Sequence, residues 1–175
     1  LCKMDWKENK RFNGNEFIST GIQGYRVWDF DMQWTNTGTR QLLGYGGSGS
    51  EYWGVQTDGK YGLALNFGKS SISAGNRDYI IHYYTNSHRA LYINNAYALG
   101  MGLTDVTNKV YGLGNLSAGG GYGCTFKLYS CNARDENGNL VAYFVPCKNP
   151  SGVLGLYNIV DGSFHASQSG KLTAG

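Results

Sequence analysis

The chain has 175 residues, with 15 Lys plus Arg against 12 Asp plus Glu, a formal net charge of +3 and only 15% charged residues. A chain of this length buries roughly 70% of its unfolded surface on folding without help from a disulfide or a metal, and a charge this small and scattered excludes the electrostatic footprint of a nucleic-acid binder. Glycine at 27 and aromatics at 14%, beside only Pro146 and Pro150, argue against collagen, long helices and proline-rich disorder, and for many short strands joined by glycine turns.

No run approaches the ~18 consecutive apolar residues of a membrane span, so membrane insertion is not expected. No basic and then apolar export signal opens the chain. The first residue is Leu1 rather than Met. The expectation is a processed product or a piece of a larger polypeptide, and the missing signal then says nothing about destination.

Residues 1–14 carry Lys3, Lys7, Glu8, Lys10 and Arg11 around Trp6 without sustained alternation, and are expected to be a lead-in segment or an edge element. Cys2, Met4 and Trp6 among those charges would suit packing against another subunit or domain. Residues 15–175 are expected to form one domain. Its clearest strand is Arg26 to Trp34, where Trp28, Phe30, Met32 and Trp34 share one face and Val27, Asp29, Asp31 and Gln33 the other. Strands follow at Arg40 to Tyr45, Glu51 to Thr57 and Tyr61 to Phe67, separated by Thr37-Gly38-Thr39, by Gly46 to Ser50 and by Asp58-Gly59, a two-residue hairpin signal. Arg77 to Tyr84 and His88 to Asn94 are aromatic and β-branched, with turns at Thr85-Asn86-Ser87 and Asn94-Asn95.

Met101 to Lys109 is the one place where a helical turn fits, capped by Thr104 or Asp105. The glycine cluster Ala118 to Gly123 lacks the Gly-Lys-Ser/Thr and the strand-to-helix setting of a phosphate loop and reads as a flexible connector. Lys109 to Leu113, Gly123 to Arg134, Leu140 to Pro146 and Val153 to Tyr157 bring the count to about ten to twelve strands, with turn signals every 8 to 12 residues on average. That spacing predicts an all-β fold of two packed antiparallel sheets.

The cysteines, Cys2, Cys124, Cys131 and Cys147, have neither zinc-site spacing nor the density of a disulfide scaffold. A hairpin turning at Asn137-Gly138 puts Cys131 near Phe144 and Cys147 near Leu128, on opposite faces, which argues against a bridge between Cys131 and Cys147. Cys124 approaches Cys147 only if the strands shear or a bulge intervenes. Free, mostly buried thiols are the expectation.

Several segments resemble a known family. Lys127-Leu128-Tyr129-Ser130, the Asn137-Gly138 turn, Leu140-Val141, Val145-Pro146-Cys147-Lys148, Gly155-Leu156-Tyr157-Asn158 and Gly162-Ser163-Phe164 together resemble the C-terminal half of concanavalin A-like, laminin-G-like jelly-roll domains. Phe17 to Ile22 is similar to the family's opening strand. Arg26 to Trp34 and Leu43-Gly44 fall where it has strands, and Tyr92-Ile93-Asn94-Asn95 resembles its paired-strand turn, where glycine is more usual than Asn95. The resemblance covers about residues 15–175 and is most specific over the last fifty. It implies a jelly-roll β-sandwich displayed outside a cell, on a gut-bacterial surface or on a phage virion. These sandwiches carry glycan binding, adhesion and scaffolding alike.

Catalytic spacing is sparse. Asp29 and Asp31 share a strand face about 6.5 to 7 Å apart, within the range a glycosidase needs. The β-glucanase relatives of the fold carry a Glu-x-Asp-x-x-Glu or similar triple, and that strand has no glutamate. Alternating aspartates on a solvent face are also the ordinary way a half-buried strand stays soluble. His82, His88 and His165 stand apart, without metal-site spacing, and Gly47-Ser48-Gly49 falls short of a nucleophile elbow. No cofactor is expected. Laminin-G-like relatives often hold one Ca²⁺ at a loop rim, for which Asp58, Asp78 and Asp105 are the available donors.

For a ligand, Tyr45, Tyr52 and Trp53 flank the glycine loop, while Asn86, His88 and Asn95 lie on turns. Rings stack on the apolar faces of sugars and amides pair with their hydroxyls. The expected function is a non-enzymatic, lectin-like adhesion module, extracellular or on a virion surface, that binds a glycan or host surface component. A structural virion or appendage subunit, meeting other copies or neighbouring subunits, is the alternative, and a glycoside hydrolase using Asp29 and Asp31 is the remote one.

Overall fold

A computed structural model of the chain describes residues 10–13, 16–34, 40–45, 52–55, 59–63, 69–100, 105–114 and 125–174. Among these residues there are sixteen strands and no helix, and every strand pairing is antiparallel. One sheet has ten strands. Its main path runs β10 (Ala96–Gly100), β9 (Arg89–Ile93), β8 (Asp78–Tyr84), β3 (Arg26–Trp34), β12 (Thr125–Arg134), β13 (Leu140–Lys148), β14 (Leu154–Asn158) and β15 (Phe164–Ala166). Off this path, β1 (Lys10–Asn13) pairs with β12 and with β16 (Thr173–Ala174). The other sheet has six strands, in the order β2 (Ile18–Gln23), β11 (Val110–Leu113), β4 (Arg40–Tyr45), β5 (Tyr52–Val55), β6 (Lys60–Leu63) and β7 (Lys69–Ser73). This is the two-sheet antiparallel β-sandwich expected from the sequence.

The alternation read along Arg26 to Trp34 decides which side of β3 faces inward. Trp28, Phe30, Met32 and Trp34 are buried, and the intervening residues are half-buried on the outer face. Inside, Trp28 stacks on Phe30 (5.9 Å between ring centroids) and on Phe144 of β13 (6.4 Å), and meets Tyr111 of β11 at 5.0 Å, so one ring joins both sheets. Fully burying a side chain of this kind contributes roughly 1.5 to 3 kcal/mol. At the sandwich's margins β10 lies beside β6 and β7, and β15 beside β2.

Lys10–Asn13, within the stretch read as a lead-in, is a paired strand, and its Phe12 stacks in the core on Phe126 at 4.3 Å. The helical turn expected over Met101 to Lys109 is not formed in its described part. There Asp105 Oδ1 accepts from Thr107 N (2.9 Å) and Thr107 Oγ1 (2.7 Å), and Lys109 N donates to Val106 O (2.9 Å). The cap is real, but the β-branched residues after it turn once and enter β11. The Asn94-Asn95 turn forms as read: both residues have positive φ (50° and 67°), and Ile93 pairs directly with Ala96. This is the two-residue hairpin geometry that asparagine tolerates best after glycine. The Asp135–Asn139 turn likewise sets Cys131 opposite Phe144, as predicted.

The cysteine expectation needs one correction. Cys131 is a free, buried thiol, but Cys147 is disulfide-bonded. Its partner lies outside the described residues, as do Cys2 and Cys124. The parity argument against a bridge between Cys131 and Cys147 holds, and β12 carries a bulge: Leu128 pairs with Met32 and Ser130 with Asp31, leaving Tyr129 over. Phe126, Leu128, Cys131 and Ala133 therefore all face the core despite their mixed parity.

Candidate functional site on the outer face of the ten-stranded sheet

The polar side of β3 lies at the centre of the larger sheet, between β8 and β12, and the register brings its aspartates among tyrosines. Asp31 is held by Arg77, whose Nε and Nη2 donate to the two carboxylate oxygens at 2.8 and 2.7 Å. The same guanidinium lies 3.8 Å over the ring of Tyr129, the bulged residue of β12. Asp29 accepts from the hydroxyl of Tyr79 at 2.9 Å. Burial holds the Asp29 carboxyl above the usual carboxylate range, against the opposing pull of the Tyr79 hydrogen bond and of the Arg134 charge. Burial and Asp29 together push the Tyr79 phenol up to about 12. These are not two freely solvated aspartates.

Beside them lies an aromatic row. Tyr83 of β8, Tyr92 of β9 and Tyr97 of β10 meet edge to face, with centroids 5.5 Å apart in each pair. His88, on the β8–β9 turn, extends the row at 6.2 Å from Tyr83. Gly100 lets the Tyr97 ring lie along the sheet, since a Cβ there would stand 3.0 Å from the Tyr97 hydroxyl and 3.0 Å from the Arg89 carbonyl. On the other side of Asp29, Asn132 pairs with it in register and Tyr143 follows on β13. The Oδ1 of Asn132 is shielded from solvent and has no protein partner.

The residues singled out in the sequence are distributed differently. Tyr45 on β4 pairs with Tyr111, and Tyr52 and Trp53 on β5 pair with Gly44 and Leu43, which places all three on the six-stranded sheet; their side chains and the glycine loop 46–50 lie outside the described residues. Asn86 and His88 are exposed on the β8–β9 turn, where the Asn86 amide donates to Glu136 Oε1 at 2.7 Å. Asn95 is exposed on the β9–β10 turn, at the other end of β9. Among the described side chains of the six, His88 is the one that meets the tyrosine row.

Of the aspartates considered for Ca²⁺, Asp58 is outside the described residues, and Asp105 caps its own turn. Asp78 is buried and engaged by the Tyr61 hydroxyl (2.5 Å), the Gly75 amide (2.8 Å) and Asn94 Nδ2 (3.0 Å). Among the described residues no group of three or more His, Cys, Asp or Glu is placed to hold a metal ion. His82 is buried, and burial, with the charge of Arg89, holds its pKa well below the usual range.

At the opposite edge, Asp161, Ser163 and His165 form a chain. Ser163 Oγ donates to Asp161 Oδ1 (2.6 Å) and meets His165 Nε2 (2.7 Å), while His165 Nδ1 reaches the Ser19 carbonyl (3.0 Å). His165 Nδ1–H, donating to the Ser19 carbonyl, staples β15 to β2, and Ser163 and Asp161 extend that contact.

No family model matches this chain, and no curated protein does. Among solved structures it is similar to a putative carbohydrate binding protein from Bacteroides ovatus ATCC 8483, with a TM-score of 0.67 at 10% sequence identity. That similarity covers 95% of this chain and 59% of the other, so the chain spans well under two thirds of its neighbour's length. It establishes the fold.

Proposed function

We propose that this chain is a non-catalytic carbohydrate-binding module whose ligand lies on the outer face of the ten-stranded sheet, around Asp29, Asn132 and the tyrosine row. The observation that carries the reading is the concentration of Tyr79, Tyr83, Tyr92, Tyr97 and Tyr143 about one half-buried carboxylate and one amide. Rings offer apolar faces to sugar C–H groups, and the carboxylate accepts from hydroxyls. The similarity to a putative carbohydrate binding protein supports it. A binding role rather than hydrolysis is favoured because Asp31 is neutralised by a bidentate arginine and Asp29 is engaged by Tyr79.

The disulfide at Cys147 suits an oxidising setting, so the module is proposed to act outside the cell, on a bacterial or virion surface, as an adhesin. One feature favours the second reading, an assembly subunit. An apolar hollow of about 430 Å³ is lined by Val153, Leu154, Ala166 and Leu172, and Val153 is exposed.

The test is a glycan array with and without Ca²⁺ chelation, alongside mass in solution. Saturable binding lost in Asp29→Asn and Asn132→Ala, and kept in Tyr52→Ala on the other sheet, is expected. No binding together with a defined oligomer selects the assembly subunit instead.

A further inference from the structure

Resting on that reading, we infer that the ligand is a neutral, linear glycan bound along an internal stretch of about five sugar units, lying across the strands rather than along them. The register fixes a straight path. Tyr97 on β10 is directly opposite Tyr92 on β9, Tyr92 opposite Ile81 on β8, Ile81 opposite Asp29 on β3, Asp29 opposite Asn132 on β12, and Asn132 opposite Tyr143 on β13. Five strand steps of ~4.8 Å make a row of roughly 24 Å, each step close to the length of one pyranose in an extended chain. Rings stand toward both ends, and Asp29 and Asn132 lie side by side between them.

The charge of the row selects among glycans. Its one carboxyl is that of Asp29, half-buried and raised in proton affinity, so a uronate or sulfate above it meets repulsion in a partly desolvated place. The nearby charges balance: Arg77 pairs with Asp31, and the Arg134 charge offsets that of Asp29, so the row offers a polyanion no net positive charge. Asp29, beside Asn132 in register, accepts from a hydroxyl of one sugar. At the β10 end the row runs out onto an open ring: Tyr97 is 60% exposed and lies on the sheet's margin.

Calorimetric titration of the whole chain with cello-, laminari-, xylo- and manno-oligosaccharides of two to six units, with polygalacturonate as the anionic comparator, tests this. In the series that binds, affinity is expected to rise about tenfold or more from dimer to hexamer, as added rings reach the outer tyrosines. Tyr97→Ala should lower hexamer affinity by about tenfold and leave the dimer's unchanged. Polygalacturonate should not bind. Equal affinity for dimer and hexamer, or a preference for polygalacturonate, overturns the linear neutral ligand while leaving carbohydrate binding intact. Binding to none of these probes overturns the linear neutral ligand, and the glycan array then decides the underlying reading.

Discussion

Tyr61, on the six-stranded sheet, donates its hydroxyl proton across the core to Asp78 at the head of β8, at 2.5 Å. The same hydroxyl accepts from Trp34 Nε1, so three buried polar side chains on β3, β6 and β8 satisfy one another. Tyr61→Phe leaves the indole N–H without its acceptor and the carboxylate short of one donor. A charged group's lost hydrogen bond in such a setting costs about 2 kcal/mol, read as a lower urea midpoint with unchanged slope. A midpoint equal to the parent's would show that the bridge does not couple the sheets.

Asp29 makes a pH prediction of definite sign. Its folded-state carboxyl is raised above the unfolded value, so the folded state holds the proton more tightly. The group therefore adds stability below the unfolded pKa, and that contribution is lost as pH rises through the folded one. At neutral pH Asp29→Asn should be at least as stable as the parent, the gap closing toward pH 4, while its glycan binding is lost. Denaturant titrations at the two pH values check this; a variant clearly less stable at pH 7 would make Asp29 a structural residue.

The β9–β10 turn separates a structural asparagine from a replaceable one. Asn94 Oδ1 accepts from the Tyr79 amide (2.8 Å) and its Nδ2 donates to Asp78, whereas Asn95 contributes its positive φ of 67°. Asn95→Gly should hold or raise stability by up to about 0.5 kcal/mol, and Asn95→Ala should lower it by about 1 kcal/mol. Glycan binding should be unchanged in Asn95→Gly. Lost binding there would restore Asn95 to the site.

Cys131 and Cys147 should behave oppositely. Burial pushes the Cys131 thiol well above its usual range, so an alkylating reagent should label it only after unfolding, as peptide mapping would reveal. Reduction should lower thermal stability through Cys147, by about 2 to 4 kcal/mol for an ordinary disulfide. Rapid native labelling of Cys131 would contradict the packing around it.

Much of the sandwich was readable because period-two alternation is a local property. Trp28 to Trp34 announced its own faces, and Asn94-Asn95 and Asp135–Asn139 announced their turns. The site was harder. Asp29 and Asp31 stood on the polar face, but nothing local says that β3 lies between β8 and β12, which is what brings Tyr79, Arg77, Tyr129 and Asn132 to them. Tyr79, Ile81 and Tyr83 share the outward parity of β8, a signal that would have found the tyrosines had the neighbour order been known. Turn residues such as Asn86 and Asn95 drew notice because loops commonly carry function, whereas here the candidate surface is a sheet face. The strands β1, β7, β10, β15 and β16 are short or glycine- and serine-rich, and are held by their neighbours more than by propensity.

The alternation along β3 also bears on how such a protein changes over generations. Asp29, Asp31 and Gln33 can be exchanged one at a time with no volume change among Trp28, Phe30, Met32 and Trp34. On the proposed reading, substitutions at the outer set would alter the ligand surface while the inner set keeps the core packed. One strand thus carries two separable specifications, the packing of the fold on its inner face and the chemistry of a surface on its outer one.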